Sequence, residues 1–249
     1  MANNLEITTK IGCSNACTCC NQAMLAAAYY KQRSPFETQP TLMSLETFKG
    51  ILVNIPPSVD ITFSGFCEPY LNPQTTTMMR LSKSRGHRLH LYSTLVGASS
   101  DDISAIADIK PDTIVIHRPD DTYFKYQLQT WEKGYRLFQQ LRIEHKVHTL
   151  SAQNVHSRAG TAFASNIYIR GKIACKTGGM RKLNNNVVLP NGCVVQCCMA
   201  YNLSSVLGNL LVNTWDEIHS GNKYKEVIRQ MDEEDNELLC RKCISCVNI

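Results

Sequence analysis

Apolar and polar positions alternate along the first two thirds of the chain in short blocks of two kinds. Leu5–Ile11 alternates with a period near two and reads as a strand running straight into a group of cysteines. Asn21–Gln32, rich in alanine, reads as a helix, and Ser44–Leu52 as another, with Ser44 at its N-cap and Glu46 in its first turn. Val59–Phe63 is a strand ending at Ser64-Gly65, Asn72–Ser84 a helix stopped by Gly86, and Leu89–Thr94 a strand. Ser100–Ile109 is a helix opened by Ser99, Asp101 and Asp102, followed by a β-branched strand over Thr113–His117. Thr122–Leu141 reads as a long helix and Glu144–Leu150 as a further strand.

This βα alternation, repeated about five times, predicts an α/β fold with a parallel sheet and helices on its outer face. Periodicity leaves open whether the sheet closes. Ligands of such folds sit at the carboxyl ends of the strands. The first cysteine group and the Ser64–Pro69 segment both follow strands, so both are expected on one functional face. Beyond about residue 160 the pattern changes, and a boundary is placed near residues 156–165. Val187–Leu189 and Val194–Val195 flank Pro190-Asn191-Gly192, a hairpin signal. Thr214–Met231 reads as one helix before a cysteine-rich tail.

A chain of 249 residues buries a core without crosslinks. It has no apolar run of about 18 residues to span a membrane and no signal-peptide core in Met1–Lys10. The cytoplasm is therefore the expected compartment. There, twelve cysteines point to metal ligation or catalysis rather than disulfides. The net charge of +5 is a mild excess that fits a solvated surface or an anionic partner such as nucleic acid or a phosphorylated small molecule.

Two cysteine sets carry the chemistry. Cys13-Ser14-Asn15-Ala16-Cys17-Thr18-Cys19-Cys20 contains a C-x3-C-x2-C spacing over Cys13, Cys17 and Cys20. Three thiolates on one short loop hold three irons of a [4Fe–4S] cluster and leave the fourth iron open to a small molecule. The second set is Cys175, Cys193, Cys197, Cys198, Cys240, Cys243 and Cys246, in which Cys240 and Cys243 form a C-x2-C pair. Such a pair with two distant cysteines makes a four-thiolate site for zinc or an iron–sulfur cluster.

With the C-x3-C-x2-C loop the sequence resembles the radical S-adenosylmethionine superfamily, and Ile61-Thr62-Phe63-Ser64-Gly65-Phe66-Cys67-Glu68-Pro69, with Leu71 and Pro73, resembles that family's second motif. The C-terminal half resembles its SPASM/Twitch extension, through Ser157-Arg158-Ala159-Gly160, Cys175, the Pro190–Gly192 hairpin, Cys197-Cys198, Gly208-Asn209 and Cys240–Cys243. The resemblance implies a partial (β/α)6-type barrel over residues 1–160 and a small hairpin-and-helix extension over 161–249. It implies S-adenosylmethionine and two [4Fe–4S] clusters as cofactors. Cys13, Cys17 and Cys20 would hold the first cluster. Cys175, Cys197, Cys240 and Cys243 would hold the second, with Cys193, Cys198 or Cys246 as substitutes. Ser64, Gly65, Glu68, Ser93 and Thr94 are the candidate S-adenosylmethionine contacts. Cys67, Tyr92, His117 and Arg158 are the candidate catalytic side chains, with Arg118 beside His117. Cys67 also fits a small buried side chain, His117 a structural one, and Arg158 a linker salt bridge.

The implied reaction is hydrogen abstraction by a 5′-deoxyadenosyl radical, giving a rearrangement or an oxidation. The expected substrate is a small molecule, a nucleoside or a DNA base, as in phage-type thymidine hypermodification, with a flavodoxin- or ferredoxin-like reductant. A peptide is the alternative substrate. It is set back by a barrel that begins within a few residues of Met1 and leaves no space for a leader-binding domain. A zinc-binding nucleic-acid or scaffold protein without radical chemistry is the reading from another class.

Overall fold

The computed structural model describes residues 4–249, apart from residues 16, 18–19, 33–37, 120–127, 151–156, 162–163, 177–182, 184 and 235. Five βα steps come first. Their strands are β1 (Asn4–Ile7), β2 (Asp60–Phe63), β3 (Leu89–Ser93), β4 (Thr113–Pro119) and β5 (Lys146–Leu150). Between them run α1 (Gln22–Tyr30), α2 (Leu45–Val53), α3 (Thr75–Ser84), α4 (Ser100–Ile109) and α5 (Leu128–Gln140). The start of the helix expected from Thr122 lies outside the described residues.

Neighbouring strands from β1 to β5 pair in parallel. The reason is visible in each strand's two faces. Leu5 and Ile7, Ile61 and Phe63, Leu89 and Leu91, and Ile114 and Ile116 are buried in the hydrophobic core. The alternate positions, Asn4 and Glu6, Asp60 and Thr62, His90 and Tyr92, Thr113 and His117, line an interior cavity. Successive side chains of a strand point to opposite faces, so one polar–apolar alternation builds both the helix-covered outside and a polar lumen. A parallel sheet with two apolar faces would read as continuous hydrophobic runs instead.

After β6 (Ile173–Cys175) come β7 (Asn185–Val188), β8 (Cys193–Val195) and β9 (Val206–Asn209). β7 pairs in parallel with β1, then β8 and β9 add antiparallel. The sheet therefore runs β5-β4-β3-β2-β1-β7-β8-β9 and stays open. The sixth parallel strand of the partial barrel is the first strand of the hairpin, and it joins at the β1 edge. Gly192 makes the turn at φ +83°, where a Cβ would collide with Asn209 and Leu211.

The helix expected over Thr214–Met231 is two, α6 (Trp215–Ser220) and α7 (Asn222–Asp232), broken by the extended backbone of Gly221. Three helix starts are capped as their sequence asks: Ser44 accepts from Thr47 N, and Ser99 and Thr214 form reciprocal capping boxes with Asp102 and Glu217. The tail ends in β10 (Cys246–Asn248), which pairs antiparallel with β6. Among the described residues no helix is long and apolar enough to cross a membrane.

Candidate active site

Thr8 and Thr9 continue β1 in full burial, with Thr8 N donating to Val188 O at 2.9 Å. The loop that follows carries Cys13, Cys17 and Cys20 over the carboxyl end of the sheet. It is held by Cys13 N on Gln22 Oε1 (3.2 Å), Cys20 N on Cys17 O (3.0 Å) and the Asn21 cap of α1. The three thiols line one cavity of about 120 Å³, which Ser64, Gly65, Cys67, Glu68, Tyr92, Thr94, His117 and Arg158 also face. The sequence-selected residues thus converge. Cys19 lies outside the described residues. Burial pushes the Cys13 thiol up.

Glu68 does not offer a bare carboxylate to this cavity. It accepts from Ser93 Oγ (2.6 Å), Thr94 N (2.6 Å), Thr94 Oγ1 (2.7 Å) and Tyr70 N (3.4 Å). Its oxygens tie the second motif to the end of β3, and its role in the geometry is to position Ser93 and Thr94. Thr94 Oγ1 in turn accepts from Asn15 Nδ2 at 2.9 Å. Asn15 is buried, and its Oδ1 has no hydrogen-bond partner among the described residues. A buried acceptor without a donor is costly in a finished core, and this one lies on the wall of the cavity. It suits the hydroxyl or amine of a bound molecule. Cys67 is hydrogen-bonded to Thr9 Oγ1 (3.4 Å), and burial holds its thiol protonated, pushed up to about 12. Gly65 takes φ +69° because a side chain there would strike Thr8.

Below this cavity opens the barrel lumen, about 450 Å³. The two share Ser64, Gly65, Tyr92, His117 and Arg158. Arg118, one residue along the strand from His117, is exposed and lines neither. The floor is organised by Glu6, which sequence reading passed over as one polar position of an ordinary strand. Glu6 Oε2 accepts from Ser64 Oγ (3.0 Å) and Gly65 N (3.2 Å). Burial raises its pKa, while hydrogen bonds from Ser64, the Cys198 thiol and Gly65 and the nearby Arg158 charge act in the other direction. Asp60 is engaged by His90 Nε2 at 3.2 Å.

Arg158 reaches the lumen from a left-handed run, Arg158, Ala159 and Gly160, at φ 50°, 54° and 83°. Non-glycine residues adopt this backbone only where their surroundings enforce it. Here Thr161 Oγ1 bonds both Arg158 O and Met199 O at 2.7 Å, and Asn21 Nδ2 holds Thr161 O at 3.0 Å. A second residue the sequence did not single out, Tyr201, places its hydroxyl 3.1 Å from Cys20 Sγ and packs edge-on against Phe66.

The second thiol set surrounds a separate cavity of about 90 Å³ lined by Cys175, Cys197, Cys198, Cys240, Cys243 and Cys246. The tail forms a short 3-10 turn over Leu239–Lys242. Cys240 lies in this turn, Cys243 is its extended C-cap and Cys246 opens β10, and all three line the cavity. Hydrogen bonding with Cys175, Cys240 and Cys243 pushes the Cys246 thiol up. The bond from Cys246 pulls Cys243 down to about 7 against its burial. Gln196 Nε2 donates to Cys240 Sγ at 3.0 Å. Between the cysteines, the fully buried Arg241 clamps Ile169 O, Gly171 O and the carbonyls ending α7. Cys193 faces elsewhere, toward Asn209 Nδ2 at 3.6 Å, and the Cys198 thiol bonds Glu6 in the lumen. Among the described residues no three His, Cys, Asp or Glu side chains converge to chelate one metal ion.

Solved structures share this architecture. BtrN in complex with AdoMet and 2-DOIA matches with a TM-score of 0.67 at 16% identity, over 100% of this chain and 94% of that one. anSMEcpe with bound AdoMet matches at 0.62 and 14%, over 97% and 86%. SuiB of Streptococcus suis bound to precursor peptide SuiA matches at 0.66 and 10%, over 98% and 70%. No curated protein matches the sequence. The fold is that of the radical S-adenosylmethionine enzymes of the SPASM/Twitch subgroup. Residues 175–244 match the SPASM family, an iron–sulfur cluster-binding domain.

Proposed function

We propose that the chain is a radical S-adenosylmethionine enzyme acting on a small polar molecule, a nucleoside or a nucleic-acid base held in the barrel lumen. Cys13, Cys17 and Cys20 hold one [4Fe–4S] cluster and leave an iron open. The second thiol set holds an auxiliary cluster. Residues 1–160 form the barrel and residues 161–249 the auxiliary domain, whose β7 completes the barrel sheet. When bound, the cluster and S-adenosylmethionine supply a 5′-deoxyadenosyl radical for hydrogen abstraction, with electrons from an external flavodoxin- or ferredoxin-like reductant.

The observation that carries this reading is the shared wall between the three-thiol cavity and the lumen, formed by Ser64, Gly65, Tyr92, His117 and Arg158. A molecule in the lumen then lies directly beneath a group bound at the thiols. Asn15 Oδ1 supplies an acceptor in the upper cavity, and Glu68 keeps Thr94 fixed beside it. Glu6 and Arg158 supply a buried carboxyl and a cation to the lumen, suited to a substrate with an amine or hydroxyl at one end and an acidic or carbonyl group at the other. The lumen volume falls in the range of small-ligand pockets, which favours such a substrate over a peptide. The outcome at the substrate is a rearrangement or an oxidation.

The test is anaerobic iron and sulfide analysis with an assay for 5′-deoxyadenosine after adding dithionite and S-adenosylmethionine. About eight irons per chain and 5′-deoxyadenosine are expected, with the product lost in the Cys13→Ala, Cys17→Ala, Cys20→Ala triple variant. Zinc in place of iron, with no 5′-deoxyadenosine, would overturn the assignment and leave a zinc-binding module.

A further inference from the structure

Six cysteines line the second cavity, but the Cys198 thiol bonds Glu6 in the lumen, which leaves five, Cys175, Cys197, Cys240, Cys243 and Cys246, and a [4Fe–4S] cluster takes four. One thiol is surplus, and the strand register identifies where. Cys175 on β6 and Cys246 on β10 are direct cross-strand partners, with Ala174 opposite Val247 and Ile173 opposite Asn248. Directly opposed residues of an antiparallel pair project from the same face with Cβ atoms about 5 Å apart. The two thiols therefore reach the same corner of the cavity, and they are hydrogen-bonded to each other. Lys176 N on Ser245 O at 2.8 Å and Ile249 N on Lys172 O at 3.1 Å fix this register from both ends. Cys240 and Cys243 are also hydrogen-bonded to Cys246, but none of the other three thiols has a cross-strand partner of this kind. Cys240 and Cys243 come from successive steps of the tail turn, and Cys197 comes from the far wall after β8.

We propose that Cys175 and Cys246 share one ligand position of the auxiliary cluster, so that either thiolate completes the set with Cys197, Cys240 and Cys243. This rests on the auxiliary-cluster reading above. It also assigns Cys246, one of the substitute ligands, to the position of Cys175. Exchange between the two ligations asks for no change of strand pairing, because both strands are already paired and both residues already line the cavity.

The experiment counts iron and sulfide in anaerobically reconstituted full-length chains and records EPR spectra of the reduced clusters. Cys175→Ala and Cys246→Ala, each alone, keep about eight irons per chain. The double variant falls to about four, as Cys240→Ala does, while Cys193→Ala keeps all eight. If Cys175→Ala or Cys246→Ala alone falls to about four, that residue is a dedicated ligand and the shared position is wrong. If the double variant keeps eight, neither thiol is a ligand and the proposal also fails. If Cys240→Ala keeps eight, the auxiliary-cluster reading itself fails and takes this one with it. EPR separates loss of a cluster from misfolding, since the N-terminal cluster signal persists in a folded double variant.

Discussion

The Tyr201 hydroxyl lies 3.1 Å from Cys20 Sγ, joining residues 181 positions apart in the chain. It is a direct polar link between the hairpin extension and the three-thiol loop. A thiolate accepts but does not donate, so with iron bound the phenol donates to sulfur. Such bonds raise a cluster's reduction potential. Tyr201→Phe is expected to leave iron content unchanged and to lower the potential of the N-terminal cluster. Loss of one hydrogen bond worth about 1 kcal/mol corresponds to about 40 mV in a one-electron step. An EPR-monitored redox titration reads it, and an unshifted potential would separate Tyr201 from the cluster.

Two buried carboxyls make stability depend on pH. Burial raises Glu6 and Glu68 above the ordinary value of 4.5, despite their hydrogen bonds. Above about pH 4.5 the unfolded chain therefore releases protons that the folded chain keeps. Stability is greatest below that point and falls as pH rises through the folded pKa values. Each group contributes at most about 1.4 kcal/mol per pH unit. The apparent Tm of the wild type should fall as pH rises above about 4.5, and that of Glu6→Gln should fall less. Parallel curves would show that Glu6 does not titrate in this window.

Gly65 turns the chain at the end of β2 with φ +69°, against Thr8. An alanine there meets Thr8 Oγ1 and its backbone nitrogen, and disturbs the Phe66 N to Thr8 Oγ1 bond of 3.1 Å. Left-handed strain and overpacking together predict a loss of about 3 kcal/mol for Gly65→Ala. Chemical unfolding measures it, and a loss below about 1 kcal/mol would mean the turn relaxes without cost.

The sequence by itself determined the parallel α/β layer, because strands such as Asp60–Phe63 and Leu89–Ser93 alternate along the chain with helices. It determined the hairpin, since Asn191-Gly192 admits few backbones. It also picked out the two cysteine sets, whose local spacings place thiols on single loops. These are short-range properties, written within a few residues. Tertiary structure alone decided the rest. Glu6 became the floor of a site because β1 lies between β2 and β7, and Cys198 turned to meet it while its neighbour Cys197 faced the other cavity. Glu68 became a strut because Ser93 and Thr94, from another strand, arrive within hydrogen-bond reach. Cys246 became the partner of Cys175 through a strand pairing spanning some seventy residues. Burial, pKa and ligand geometry depend on groups brought together from distant parts of the chain, and no local pattern encodes which of them will meet.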